Sequence, residues 1–171
     1  LSSSRALRDV SEKYGAEYFA SAVGEVNVST MMREVGAIIG GEGNGGVIYP
    51  ESHYGRDAVV GVALFLSNLA HLGMKVSEYK KTLPQYHIAK SRIELSDSAL
   101  IDKILSAMKE KFAAEKLNTV DGVRVDFEAK REWVHLRRSN TEPIIRVYSE
   151  AQSAERAEAL GREVIALAES I

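Results

Sequence analysis

The polar stretch 137–146 combines guanidinium, hydroxyl and amide groups at a spacing that suits an anion. Arginines stand at both of its ends, and hydrogen-bonding side chains lie between them: Arg137, Arg138 and Arg146 outside, Ser139, Asn140 and Thr141 inside. Guanidinium forks bind phosphate oxygens in pairs, and each hydrogen bond to a charged partner contributes about 1.5–3 kcal/mol. These residue types indicate a phosphate site. They are also common turn chemistry, so a hairpin tip in which the arginines face water remains the alternative.

A glycine-rich loop, 40–46, is the second candidate site. Five of its seven residues are glycine, which lets the backbone turn sharply and approach a ligand closely. The side chains that it presents are Glu42 and Asn44. A carboxylate accepts two hydroxyl hydrogens at once, so Glu42 suits adjacent sugar hydroxyls, and Asn44 can donate and accept beside it. A flexible turn without a ligand is the alternative, and the glycine spacing does not match a dinucleotide-binding loop.

Composition restricts the classes of function. A chain of 171 residues, 45% of them hydrophobic, is long enough for one large or two small domains. Its formal net charge of −2 argues against nucleic acid or an anionic membrane as the main partner. There is no cysteine, which excludes disulfides and thiolate metal sites and favours a cytoplasmic location. The four histidines are dispersed without ligand spacing, so no metal site is predicted in this chain. The longest apolar run, 59–66, is too short to span a bilayer.

The elements that position the glycine-rich loop alternate between helices and short apolar strands. The pattern predicts helices over 4–14, 29–35 and 56–71, the last of them largely buried, and strands over 18–23 and 37–39. This alternation predicts an α/β layer of parallel strands covered by helices. Because the layer opens on a helix, we expect it to be a truncated domain. Arg56, at the start of the third helix, is expected to pair with a neighbouring acid, with ligand contact as the alternative.

The elements around the polar loop predict a different kind of domain. Apolar alternation predicts strands over 89–95 and 123–127, apolar runs predict strands over 133–136 and 144–148, and amphipathic periodicity predicts helices over 98–112 and 154–170. The result is a small α+β domain with an antiparallel sheet and two helices. Residues 74–85 show little periodicity, so we predict a domain boundary there and divide the chain into 1–80 and 81–171.

The order Arg-x-Ser-Asn-Thr-Glu-Pro-x-x-Arg, from Arg137 to Arg146, resembles the phosphate-binding loop in the last domain of the α-D-phosphohexomutases. This family contains phosphomannomutases, phosphoglucomutases and phosphoglucosamine mutases. The resemblance implies that Arg137, Ser139, Asn140 and Thr141 hold the phosphate that is not reacting, with Arg146 as a further contact or a support.

The glycine-rich loop resembles the sugar-specificity loop in the third domain of the same family. Many bacterial members have Gly-Glu-x-Ser-Gly-His there, whereas this chain has Asn44 in place of the serine and Gly46 in place of the histidine, a variant associated with the archaeal-type branch. Other members also have a Gly-His pair near the reacting centre, where this chain has Glu25. A solvated carboxylate after a strand is the alternative interpretation of Glu25.

Both resemblances together imply the C-terminal half of an enzyme that interconverts hexose 1-phosphate and hexose 6-phosphate through a bisphosphorylated intermediate. The phosphoserine loop and the Asp-Gly-Asp magnesium site of the family do not occur in these residues. The resemblance therefore implies that this chain contains no catalytic residue and binds no cofactor, and that Mg²⁺ binds upstream. It also implies that the missing N-terminal domains are partners of this chain and that the isolated chain is inactive. A stand-alone phosphosugar-binding module without catalysis is the alternative.

Overall fold

A computed structural model describes residues 1–95, 99–139 and 142–170, and these form six α-helices and seven strands. The chain divides into two compact units. Unit 1 contains Leu1 and Ala6–Gln85, and unit 2 contains Ser2–Arg5 and the chain from Tyr86 onward. The boundary near residue 80 stays a prediction.

Unit 1 is mainly helical. Its helices and strands are α1 (Ala6–Lys13), α2 (Glu25–Val35), β1 (Gly40–Gly41), β2 (Val47–Ile48), α3 (Ala58–Leu72) and α4 (Val76–Thr82), with β1 and β2 antiparallel. The ends of α3 follow the sequence signals. The Asp57 carboxylate accepts the Val60 N–H at the N-terminus (3.0 Å), and Gly73 adopts a left-handed conformation at the C-terminus (φ 62°).

Several predicted elements of unit 1 are wrong. No strand covers 18–23 or 37–39, and the described residues of this unit contain no parallel strand pair. Ile38, in the predicted strand 37–39, is 81% exposed. Short apolar runs do not distinguish strands from other segments by periodicity, which explains these errors. Helix α2 begins at Glu25 rather than at Ser29, whose hydroxyl donates to the Val26 carbonyl (3.1 Å) inside the helix. Helix α4 was not predicted.

Helix α3 is also less buried than its sequence predicts. Val59, Val62 and Leu66 are 79%, 56% and 55% exposed, and Leu69 is the buried apolar residue of the helix. A helix that is apolar on all sides needs neighbours on all sides. Here Gly61 lies against Val47, so close that a Cβ added to Gly61 would lie 3.1 Å from Cγ2 of Val47. The opposite face of α3 is open. No described helix is by itself long and apolar enough to cross a membrane, although α3 and α4 pass the length and composition test as a pair bent by 88°.

Unit 2 is built on a five-stranded antiparallel sheet. Its elements are β3 (His87–Glu94), α5 (Ala99–Lys111), β4 (Lys116–Asn118), β5 (Val123–Phe127), β6 (Glu132–Arg138), β7 (Ile144–Ala151) and α6 (Ala154–Glu169). The strand order is β3-β7-β6-β5-β4. Side chains from one face of the sheet form the core with both helices, among them Val125, Leu136, Val147, Ile104 and Leu160. The predicted α+β domain with an antiparallel sheet and two helices is confirmed, and β4 is an additional strand.

The other face of this sheet binds the N-terminal segment Ser2–Arg5. The fully buried Glu150 carboxylate accepts hydrogen bonds from the Ser4 hydroxyl, the Arg5 backbone N–H and the Trp133 indole, each at 2.9 Å. Burial raises the pKa of Glu150, and these hydrogen bonds oppose the shift. Beside it, Ser2 Oγ lies 2.9 Å from Nδ1 of His135. The segment Ser2–Arg5 therefore belongs to unit 2, although the sheet of that unit is formed by residues after Tyr86.

Candidate functional site

Three arginines form a row across the sheet of unit 2. Arg137 on β6 is the Cα partner of Arg146 on β7, and Arg146 is the partner of Arg92 on β3. Directly opposite residues of an antiparallel sheet point to the same face, with Cβ atoms about 4.5–5.5 Å apart. Like charges at such positions repel each other, so this arginine row (Arg92, Arg146 and Arg137) destabilises the sheet unless negative charge is near it.

In the arginine row, Arg92 Nη2 lies 2.8 Å from Glu94 Oε1, whereas the acidic partners of Arg146 and Arg137 are more distant. Arg146 Nη2 lies 3.4 Å from Glu142 Oε2, and Arg137 Nη1 lies 3.5 Å from Asp121 Oδ2. Both distances exceed the roughly 2.7–2.9 Å of a strong hydrogen bond between charged groups. Arg137 Nε is buried and has no hydrogen-bond partner among the described residues. A phosphate, with acceptor oxygens on several sides, would satisfy such donors.

A tight turn fixes Asp121 beside Arg137. The buried His135 donates from Nε2 to the Asp121 carbonyl, which can only accept, so Nδ1 is the acceptor for the Ser2 hydroxyl. Burial lowers the pKa of His135 to about 4, which keeps the ring neutral at pH 7. The next residue, Gly122, has φ 79°, and a Cβ there would lie 2.2 Å from the Leu136 carbonyl oxygen. Only glycine fits this approach of the turn to β6.

The structure brings some of the predicted phosphate-site residues together. Arg137 and Arg146 share one sheet face, and the buried Ser139 donates its backbone N–H to the Ile144 carbonyl (3.0 Å), which joins β6 to β7 at the loop. Asn140 and Thr141 lie outside the described residues. Arg92 was not predicted. The alternation along β3 shows that it is on the polar face, but sequence does not show that β3 lies beside β7.

The glycine-rich loop is an ordered hairpin, called here the glycine hairpin (residues 40–48). Gly41 pairs with Val47, and the Glu42 N–H donates to the Gly46 carbonyl (3.0 Å). Asn44 Oδ1 accepts the Gly46 N–H (3.2 Å), so this side chain helps to fix the loop. The loop is therefore a hydrogen-bonded hairpin, and its role in binding a ligand stays a prediction.

Arg56 links the glycine hairpin to helix α2. Its Nη1 lies 3.6 Å from Glu42 Oε2, while its Nε and backbone N–H donate to the two carboxylate oxygens of Glu25 at 2.8 and 3.0 Å. These hydrogen bonds, the backbone one most of all, hold the pKa of Glu25 below its ordinary value. The predicted pairing of Arg56 with an acid is confirmed. Glu25 does not follow a strand, because it begins α2. Its side chain is 34% exposed and binds Arg56.

Metal-binding side chains are not grouped in the described parts of the chain. No three His, Asp or Glu residues there could hold one ion together. His53, for example, lies 3.1 Å from Asp57 and accepts the Gly55 N–H (3.0 Å), which accounts for both ring nitrogens.

The sequence matches two family models, which cover most of the chain. Residues 1–86 match the phosphoglucomutase/phosphomannomutase α/β/α domain III, and residues 91–167 match the C-terminal domain of the same enzymes. The unit with the glycine hairpin and the antiparallel α+β unit with the arginine row therefore correspond to two successive domains of a phosphohexomutase. The chain belongs to the phosphoglucomutase/phosphomannomutase family.

Individual relatives agree with this assignment. The chain is 36% identical to a phosphoglucomutase/phosphomannomutase of Thermococcus kodakarensis, over 92% of the chain and 34% of the relative. It is 34% identical to a probable phosphoglucosamine mutase of Methanopyrus kandleri, over 96% and 36%. The solved structure of a family protein from Burkholderia thailandensis superimposes with a TM-score of 0.76 at 27% identity, over 96% of the chain and 36% of that structure. The chain thus spans about a third of the length of the relatives that it matches.

Proposed function

We propose that this chain is the ligand-binding, C-terminal part of an enzyme that interconverts hexose 1-phosphate and hexose 6-phosphate. The observation that carries the proposal is the arginine row, in which three like charges share one sheet face. An anionic ligand relieves that repulsion. A hexose phosphate also supplies the hydroxyls that a carboxylate in a glycine hairpin can recognise.

The arginine row and the loop beside it are proposed to bind the phosphate that is not reacting. Arg137 and Arg146 supply the guanidinium groups, and Ser139, Asn140 and Thr141 supply further donors. Phosphoryl transfer depends largely on positioning and on electrostatic stabilisation. Holding the idle phosphate would thus contribute to catalysis without a covalent step in this chain.

Glu42 and Asn44 are proposed to bind the sugar. The Glu42 side chain is 14% exposed and its carboxylate is oriented by Arg56 at 3.6 Å, which supports a fixed acceptor for two adjacent hydroxyls. Asn44 uses its oxygen within the hairpin, which leaves its amide group as a donor toward a ligand.

The reacting groups are proposed to lie in residues outside these 171. Phosphohexomutases typically use a metal ion, but the described residues offer no three-ligand cluster for Mg²⁺, so the residues present do not fit the ion. We propose that N-terminal domains bind Mg²⁺ and supply the catalytic groups, and that the complete enzyme is cytoplasmic. The open apolar face of α3, with Val59 and Val62 exposed, supports such a covering segment and disfavours a stand-alone module.

Calorimetric titration of the 171-residue chain with inorganic phosphate and with glucose 1-phosphate tests the proposal. We expect Arg137→Ala to weaken both ligands and Glu42→Ala to weaken only glucose 1-phosphate. Arg162→Ala is the matched control, because Arg162 is exposed on α6 and pairs with Glu158. Failure of the wild-type chain to bind either ligand would overturn the proposal. Mutase turnover by the isolated chain would refute its predicted inactivity.

A further inference from the structure

The side chain of Arg56 fills the space beside Gly46. A Cβ built on Gly46 would lie 2.5 Å from Cδ of Arg56 and 3.0 Å from its Cγ. Contacts under 3.0 Å are essentially never seen for real Cβ atoms, so Arg56 would have to move. The glycine therefore leaves room for an arginine stem to cross the hairpin.

Arg56 is not free to move without losing contacts. Glu25 accepts both its backbone N–H (3.0 Å) and its Nε (2.8 Å), and Nη1 lies 3.6 Å from Glu42. The side chain is nevertheless 47% exposed, and its Nη2 has no partner among the described residues. Nε and Nη1 are thus directed toward Glu25 and Glu42, while Nη2 can donate to a ligand.

We propose that Arg56 is a third sugar-binding residue of the glycine hairpin, which donates from Nη2 to a sugar oxygen and orients the Glu42 carboxylate. This inference rests on the proposed function of the hairpin. Glu25 and Gly46 both lie against Arg56. The three residues form one linked set, in which a glycine provides space and a glutamate fixes the guanidinium.

The affinity ratio between glucose 1-phosphate and inorganic phosphate isolates the sugar contribution. We expect Arg56→Ala to leave the affinity for inorganic phosphate within about twofold and to lower that for glucose 1-phosphate about tenfold or more, because a charged donor is lost. Arg33→Ala is the control, since Arg33 carries the same charge in unit 1 and stacks on Tyr54 at 4.1 Å. We expect this control to keep the wild-type ratio.

A double-mutant cycle separates a linked set from two independent contributions. Gly46→Ala should displace Arg56 and lower glucose 1-phosphate affinity as Arg56→Ala does, and the double variant should lose no more than either single variant. Additive losses would overturn the inference. A wild-type preference for glucose 1-phosphate that survives Arg56→Ala would overturn it while leaving the proposed function intact. Equal wild-type affinities for both ligands, or no binding of either, would overturn the proposed function and this inference with it.

Discussion

Arg137 and Arg146 are Cα partners on neighbouring strands, so two guanidinium groups lie on the same side of the same sheet position. Removing one charge should relieve repulsion in the free protein. We predict that Arg146→Gln raises the free energy of unfolding of unit 2 by about 0.2–1 kcal/mol without phosphate. The same variant should lower phosphate affinity about tenfold or more, because a charged donor is lost.

Fluorescence of Trp133, the single tryptophan of the chain, reports the unfolding of unit 2 in urea with and without inorganic phosphate. The stability change and the affinity change should have opposite signs. A variant that is destabilised without phosphate and binds it normally would contradict a functional arginine row.

Arg92 is predicted to contribute to phosphate binding less than Arg137 does. Its side chain is 62% exposed and its Nη2 lies 2.8 Å from Glu94, so water and an existing partner weaken its attraction for an anion. Arg92→Gln should lower phosphate affinity by a smaller factor than Arg137→Ala, and the effect should shrink as salt is raised.

Lys90→Gln is the matched control for Arg92, because Lys90 lies one row away on the same face of β3 and its Nζ is 5.5 Å from the Tyr148 ring centroid. Equal effects of the two changes, measured by calorimetry at two salt concentrations, would point to general electrostatics rather than to the arginine row.

His135 should make the stability of unit 2 depend on pH. Its pKa is lowered from 6.5 to about 4 by burial, so as pH falls the unfolded state takes up the proton first. Its contribution is complete above pH 6.5 and decreases as pH falls toward 4, by about 3 kcal/mol at about 1.4 kcal/mol per pKa unit. Glu150 acts in the opposite direction, because its pKa is raised by burial.

Comparing wild type with His135→Gln at pH 7, 6 and 5 by urea unfolding removes the contribution of Glu150 from the difference. Glutamine is uncharged and can still donate to the Asp121 carbonyl. The stability difference should become more favourable to the variant as pH falls. A difference that does not change with pH would show that His135 titrates normally in the folded state.

Gly122→Ala should destabilise unit 2 strongly. A non-glycine residue at φ 79° costs about 1–3 kcal/mol in strain, and its Cβ would meet the Leu136 carbonyl at 2.2 Å, which requires backbone movement. Gly161→Ala is the control in the same unit, because it lies in α6 and its Cβ would meet the Ser149 hydroxyl at 3.1 Å. Urea midpoints by Trp133 fluorescence should fall much further for Gly122→Ala. Similar midpoints would contradict the close approach of the turn.

Sequence predicts unit 2 better than unit 1 for a physical reason. Its strands each have one buried face, and alternation such as Val123, Val125 and Phe127 records that burial directly. In unit 1 the apolar residues of α3 and the segment around Ile38 remain exposed among the described residues, so their pattern predicts burial that the structure does not contain.

The candidate sites divide in the same way. The loop at 137–146 and the glycine hairpin are continuous stretches, so residue types identify them. Arg92 joins the arginine row only through strand order, and Glu25 reaches Arg56 across 31 residues. Neither relationship leaves a local signal in a single sequence.

The N-terminal segment Ser2–Arg5 gives the chain the topology of a domain insertion: unit 1 interrupts unit 2 between residues 5 and 86. The Arg5–Glu150 contact spans 145 residues of sequence. During synthesis Arg5 is made 145 residues before Glu150, so this contact cannot form until β7 has been completed. Once unit 1 is folded, the flexible chain between residue 5 and the rest of unit 2 is effectively shorter. The order in which the two units fold therefore governs when Ser2–Arg5 binds to the sheet.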